Sequence, residues 1–318
     1  MDFRSYSAFR EELDSTGILD LGNLSFRDSF PFDYPDRKSG HIGMKIHRCH
    51  LVENFLSVFD LNLEKRHIAV SNGVRHSLDL LMTEWRDRTW VIAEDQYPHY
   101  LQAANRAGVD YTGFSTNPNH EVSLPNGDVL LVCYPLKPWG VEPGDRAVQE
   151  VREWLAKDPS RKLIVDAVYS YNLKDALFLD ESFLKLFALG RIVILYSLAK
   201  TFNAPNTFGL VFSTDPTVRE VFTKLERDDD RAEKAFILLN QLPGRREQLK
   251  EAVESKAARL NDLAIFTEVE FHCRGTIDYL FFLPGYDFED LLSKGVLTVP
   301  NTVFGIEAEG VVVSTLTL

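Results

Sequence analysis

Between residues 67 and 212 the sequence alternates two kinds of segment. Short strand-like segments occur at His67-Ile68-Ala69-Val70, Trp90 to Ala93, Val109 to Phe114, Val129 to Tyr134, Leu163 to Val168, Ile192 to Tyr196 and Phe208 to Phe212, and Ile192 to Leu195 is continuously apolar. Between them lie segments with apolar residues at helical spacing. Val74, Leu78, Leu81, Met82 and Trp85 form one, His99 to Ala107 closed by Gly108 a second, and Phe183 to Leu189 another. Ala147, Val148, Val151, Trp154 and Leu155 mark a further helix. Continuously apolar runs are strands buried on both faces. Strands alternating with helices predict a largely parallel sheet covered by helices on both sides. Ligands of such sheets bind at the carboxyl ends of the strands. Gly73, Tyr97, Tyr134, Asp166 and Lys200 all fall at or just after such ends, which points to one shared site.

The flanks are different. Residues 1–45 read as an N-terminal arm, with a short helix around Ser7 to Leu13 and then a loop rich in Phe, Asp, Pro and Gly. A helix is expected from His47 to Val58. Residues 46–235 form the expected large α/β domain, and the stretch from Pro216 to Asp262 is charged and mostly helical, broken at Pro243-Gly244. Residues 236–318 are expected to form a small α+β domain. Its strands fall at Phe271-His272-Cys273, Tyr279 to Phe282 and Val311 to Leu316, with a short helix from Phe288 to Leu292.

Composition excludes several classes. The net charge of −12 without a Lys/Arg block argues against nucleic acid as a partner. Cys49, Cys133 and Cys273 are scattered and odd in number, so neither a disulfide framework nor a metal site is expected. No stretch approaches a membrane span, and the charged N-terminus lacks an apolar leader, which reads as a cytoplasmic protein.

Two residues inside or beside buried strands call for chemistry. Lys200 lies three residues past Ser197, at the exit of Ile192 to Tyr196. Such a lysine either snorkels to solvent or serves as an amine nucleophile that forms Schiff bases. Asp166 interrupts Leu163 to Tyr169, and a buried carboxylate needs a cation or hydrogen-bond donors. Tyr169 follows three residues later. Ser71-Asn72-Gly73-Val74-Arg75 reads as strand, tight turn and helix N-terminus, a place suited to phosphate. A ring cofactor with a basic nitrogen, an aldehyde and a phosphate would use all of these features.

With these residues in place, the sequence resembles the class I/II aminotransferases, the fold-type-I enzymes that use pyridoxal 5′-phosphate (PLP). Asp166-Ala167-Val168-Tyr169 resembles the family's D-x-x-Y and Ser197-Leu198-Ala199-Lys200 its S-x-x-K. Asp95-Gln96-Tyr97-Pro98-His99-Tyr100 is similar to P-x-Y-x-x-Y, and Gly73-Val74-Arg75 to the phosphate-binding turn. Tyr34-Pro35-Asp36 resembles a segment whose tyrosine reaches the neighbouring subunit's phosphate. Gly295 to Gly305 resembles the small-domain signature after the last helix. The resemblance spans Tyr34 to the C-terminus. It implies a seven-stranded sheet sandwiched by helices, a homodimer with Tyr34 crossing the interface, and PLP held as an internal aldimine on Lys200. By the same likeness Asp166 pairs with the pyridinium nitrogen, Tyr169 and Lys137 meet the phenolic oxygen, Tyr97 stacks on the ring, and Gly73, Val74, Arg75 and Ser197 meet the phosphate. Lys200, Asp166 and Tyr169 are then the catalytic residues, and an amino acid or amine is the substrate.

The pattern also departs from the family. Lys137 stands where an asparagine is usual, and is either a donor toward the cofactor or a lysine turned to solvent. Phe208 and Val313 stand where arginines bind phosphate and substrate carboxylate. Arg75 is a candidate replacement for the charge lost at Phe208. The chain is short for the family, and the small domain reads as trimmed. These departures favour a specialised biosynthetic aminotransferase. A PLP-dependent lyase, decarboxylase or oxidase uses the same site, and a fold-type-I binding protein without turnover is the remaining alternative.

Overall fold

The computed structural model describes residues 1–13, 16–30, 48–61, 63–118, 123–171, 173, 181–204, 209–223, 235–240, 244–266 and 279–318. Tyr34, Phe208 and the strand expected at Phe271-His272-Cys273 lie outside the described residues.

The chain opens with a helix, Phe3–Glu12, capped by the Asp2 carboxylate, which accepts from the Ser5 N–H at 2.7 Å. Strand β1 (Leu19–Asp20) follows. The central sheet is built from β2 (Ile68–Ser71), β3 (Trp90–Ala93), β4 (Tyr111–Phe114), β5 (Val129–Cys133), β6 (Lys162–Asp166), β7 (Ile192–Ser197) and β8 (Gly209–Phe212). Their order is β2-β8-β7-β6-β5-β3-β4. Strands β3 to β7 run parallel. The exception is β8, which is antiparallel to both of its neighbours. The apolar pattern of a run states its burial but not its direction, so this reversal is a tertiary fact. Strands also end earlier than expected: β6 stops at Asp166, and Ala167 to Tyr169 turn out of the sheet.

The central strands are buried along their length, as their unbroken apolar runs require. One apolar cluster on the sheet gathers Phe55, Phe59, Val165, Ile194 and Phe212. A second contains Leu78, Ile92, Leu131, Ile164 and Val193. Neighbouring residues of one strand thus face opposite layers, and each buried aliphatic side chain contributes about 1.5–3 kcal/mol. The helix His99–Ala107 presents Tyr100, Ala103 and Ala104 to the sheet and ends at Gly108, whose φ of 66° closes it.

The C-terminal strands form a separate sheet. Strands β9 (Leu280–Pro284), β10 (Val296–Leu297), β11 (Val299–Pro300) and β12 (Gly310–Ser314) follow in sequence. The order β11-β12-β9 is antiparallel throughout, while β10 pairs with β1 in parallel. The first residues therefore join the last ones. Tyr6, fully buried, places its hydroxyl 3.1 Å from the Gly22 carbonyl oxygen and 2.9 Å from that of Thr298. The Ser314 N–H donates to the Leu21 carbonyl at 2.7 Å.

Removing that buried hydroxyl leaves two carbonyl oxygens without it. Tyr6→Phe is expected to lower stability by about 1–2 kcal/mol. A lower urea midpoint at unchanged slope checks this, and an unchanged midpoint contradicts it.

Candidate active site

Five strand ends bring the candidate residues together. Asp166 is the last residue of β6 and is buried. Tyr100 Oη donates to its Oδ2 at 2.8 Å, and the Val168 N–H donates to Oδ1 at 3.1 Å. Burial raises its pKa from 3.8 to about 6, against the lowering effects of Tyr100, Val168 and the more distant Lys200 charge. The carboxylate is held in place by these donors, and no described residue forms an ion pair with it. A cation brought beside it would relieve this cost.

Lys200 sits on the short helix Leu198–Thr201, whose N-cap Ser197 ends β7 and accepts the Ala199 N–H at 3.3 Å. Lys200 is half-buried, so its amine lies in the site and still meets solvent. Its Nζ donates to Tyr279 Oη at 2.7 Å. The rings of Phe26, Tyr279 and Tyr169 lie 5.0, 5.1 and 5.4 Å from Nζ. Desolvation of the Tyr169 hydroxyl, reinforced by Tyr279 beside it, pushes its pKa well above the usual phenol value. Tyr169 therefore keeps its proton and remains a donor.

Strands β2, β8 and β7 are in register at Ser71, Gly209 and Ser197. Gly73 caps the helix Val74–Glu84 with φ of 107°. A Cβ at Gly209 would lie 2.7 Å from Gly73 Cα and 2.9 Å from Gly73 N, so only glycine lets the turn rest on the sheet. Ser77 Oγ donates to Ser71 Oγ at 2.7 Å and braces the turn. The Gly73 N–H donates to Ser71 Oγ at 3.3 Å, and the start of the helix lies against Gly209, the register partner of Ser197, a place suited to an anion.

Tyr97 follows β3. Its ring is 5.6 Å from Tyr100 in an edge contact, and Arg75 Cζ lies 5.9 Å from its centroid. Arg75 is exposed but leans over this ring rather than away from it. Lys137, in the loop after β5, is buried and does not turn to solvent. Its Nζ lies 5.4 Å from the Tyr169 ring, so two ammonium groups flank one phenol. Val313 is fully buried in β12, opposite Phe281.

The described site residues thus share one region, and Tyr34 and Phe208 lie outside the described residues. Sequence reasoning gave no role to Tyr100 and passed over Tyr279 and Phe26. Tyr100 had a signal, since it is the second tyrosine of the segment Tyr97-Pro98-His99-Tyr100 that resembles the family motif. Tyr279 had none, since 79 residues separate it from Lys200.

No protein-family model matches the sequence, and no curated protein matches it. Solved structures are similar. Aminotransferase AspB from Helicobacter pylori is 16% identical at a TM-score of 0.74, covering 98% of this chain and 92% of that one. A probable N-succinyldiaminopimelate aminotransferase from Thermus thermophilus is 19% identical at 0.70, covering 99% and 95%. Aspartate aminotransferase from Thermotoga maritima is 16% identical at 0.67, covering 98% and 92%. The chain therefore has the α/β fold of these aminotransferases over nearly its whole length.

Proposed function

We propose that this protein is a PLP-dependent aminotransferase acting on an amino acid or amine. The observation that carries the reading is the pairing of a buried Asp166 with a half-buried Lys200 at the ends of adjacent strands β6 and β7. PLP, when bound, supplies an electron sink that lets a proton leave the carbon bearing the amine.

The residues fit that group. Lys200 supplies the amine that holds the cofactor's aldehyde carbon, and moves protons at Nζ. Asp166 lacks a cationic neighbour in hydrogen-bond range among the described residues, and a protonated ring nitrogen is such a partner. Tyr169 and Lys137 provide donors for the phenolic oxygen. Gly73, Val74 and Ser197 hold the phosphate through N–H groups and a hydroxyl, with Arg75 adding charge from the rim. Tyr97 supplies a flat ring for stacking.

A homodimer with Tyr34 reaching the neighbouring site is part of the proposal and is supported by the Tyr34-Pro35-Asp36 motif. The residues at Lys137, Phe208 and Val313 support a specialised biosynthetic role. The acidic composition and scattered cysteines support a cytoplasmic setting.

Protein mixed with PLP should develop a visible absorption band that Lys200→Ala lacks. Incubated with a panel of amino acids and amines, it should accumulate pyridoxamine phosphate, and a keto acid should reverse this. Ammonia release without pyridoxamine phosphate would contradict transfer.

Asp166 makes a second prediction. Between about 3.8 and about 6 the folded chain holds a proton that the unfolded chain gives up. Stability therefore falls as pH rises through that window and stays lower above it. Without PLP, Asp166→Asn should be more stable than wild type at pH 8, by an amount on the order of 2 kcal/mol. The gain should vanish near pH 4, and PLP binding should be lost. Urea unfolding at both pH values measures it. A variant less stable than wild type at pH 8 contradicts the argument.

A further inference from the structure

Tyr279 is the one side chain from the C-terminal sheet whose described hydrogen bond reaches Lys200. It immediately precedes β9, and the Thr315 N–H donates to its carbonyl at 2.9 Å. Its ring is 1% exposed and packs 5.1 Å from the Phe26 ring and 6.0 Å from that of Tyr169. Backbone and ring are thus both fixed, while Lys200 is half-buried on a four-residue helix. A buried, packed hydroxyl facing a half-buried amine sets where the amine rests.

The chemistry of that hydroxyl matters. A phenol that carries its proton both donates and accepts. An ammonium on Lys200 donates to Tyr279 Oη, and a neutral amine accepts the phenol's proton in a hydrogen bond. The same contact therefore survives when Lys200 takes up a proton and when it gives one away. A carboxylate in this place would favour only the charged form and hold the amine as a poor base. An aliphatic side chain would hold neither form. Tyr279 Oη also lies 3.4 Å from Tyr169 Oη, which orients its remaining hydrogen-bonding capacity toward the same centre. The three aromatic rings around Nζ add an attraction for the protonated form without fixing the proton.

We propose that Tyr279 is the residue that holds the Lys200 amine in reacting position through both of its protonation states. This rests on the reading of Lys200 as the cofactor-binding amine. It makes the C-terminal sheet a contributor to the reaction centre through one hydroxyl. It also gives a role to the hydroxyl of the tyrosine that immediately precedes β9.

The test uses PLP itself as the probe. Cofactor-free protein is mixed with excess PLP, samples are reduced with borohydride at intervals, and the labelled peptide is identified by mass. Wild type should label at Lys200. Tyr279→Phe keeps the ring and removes the hydroxyl, and should label the same lysine more slowly by up to about tenfold, the size expected for losing one ordinary hydrogen bond that positions the neutral amine as well as the charged one. The slowing should be similar at pH 7 and pH 9, because the phenol serves both forms of the amine. The final extent of labelling should equal that of wild type, which separates a misplaced amine from a misfolded fraction. Tyr6→Phe, which removes another buried hydroxyl, should label at the wild-type rate despite its lower stability. A Tyr279→Phe rate equal to wild type, or slowing at one pH only, overturns the role of Tyr279 while leaving the cofactor reading intact. Wild-type labelling at another lysine overturns the cofactor reading, and the role of Tyr279 falls with it.

Discussion

The arrangement depends on a carboxylate placed where water cannot reach it. Asp166 ends a strand whose neighbours on both sides are buried, and burial raises its pKa to about 6. Two donors, Tyr100 Oη and the Val168 N–H, hold it without cancelling its charge. A structural ion pair would have offset that cost within the chain. Among the described residues Asp166 has no such ion pair, so the proposed cofactor's ring nitrogen would meet a carboxylate whose charge is still costly.

The other candidate groups follow from where the strands end. Lys200 leaves the neighbouring strand, and Gly73 rests on Gly209 because nothing larger fits there. The Gly73 turn, the amine and the carboxylate are thus set by backbone register rather than by long side chains. The C-terminal sheet is tied to the N-terminus by β1, by Tyr6 and by the Ser314 contact with Leu21. This tie matters to the site because the same sheet carries Tyr279, whose hydroxyl meets the amine.

Much of this was legible in the sequence. The strand Ile192 to Leu195 announces itself as an unbroken apolar run, Lys200 stood out just past its exit, and Asp166 stood out as a carboxylate interrupting a buried strand. Gly73 was legible because a turn between strand and helix needs a permissive residue. The reversed direction of β8 was not, since its apolar pattern is the same either way. Lys137 left two orientations open, and packing against Tyr169 chose the buried one. Tyr279 was hidden because only tertiary folding brings it to Lys200.

One PLP molecule is proposed to join these strand ends. A crystal structure of the protein grown with PLP tests it most directly. The account predicts electron density continuous from Lys200 Nζ to the cofactor, the ring nitrogen within hydrogen-bond distance of Asp166, and the phosphate at the Gly73–Val74 turn beside Ser197. PLP on a different lysine, or a ring nitrogen remote from Asp166, would contradict it.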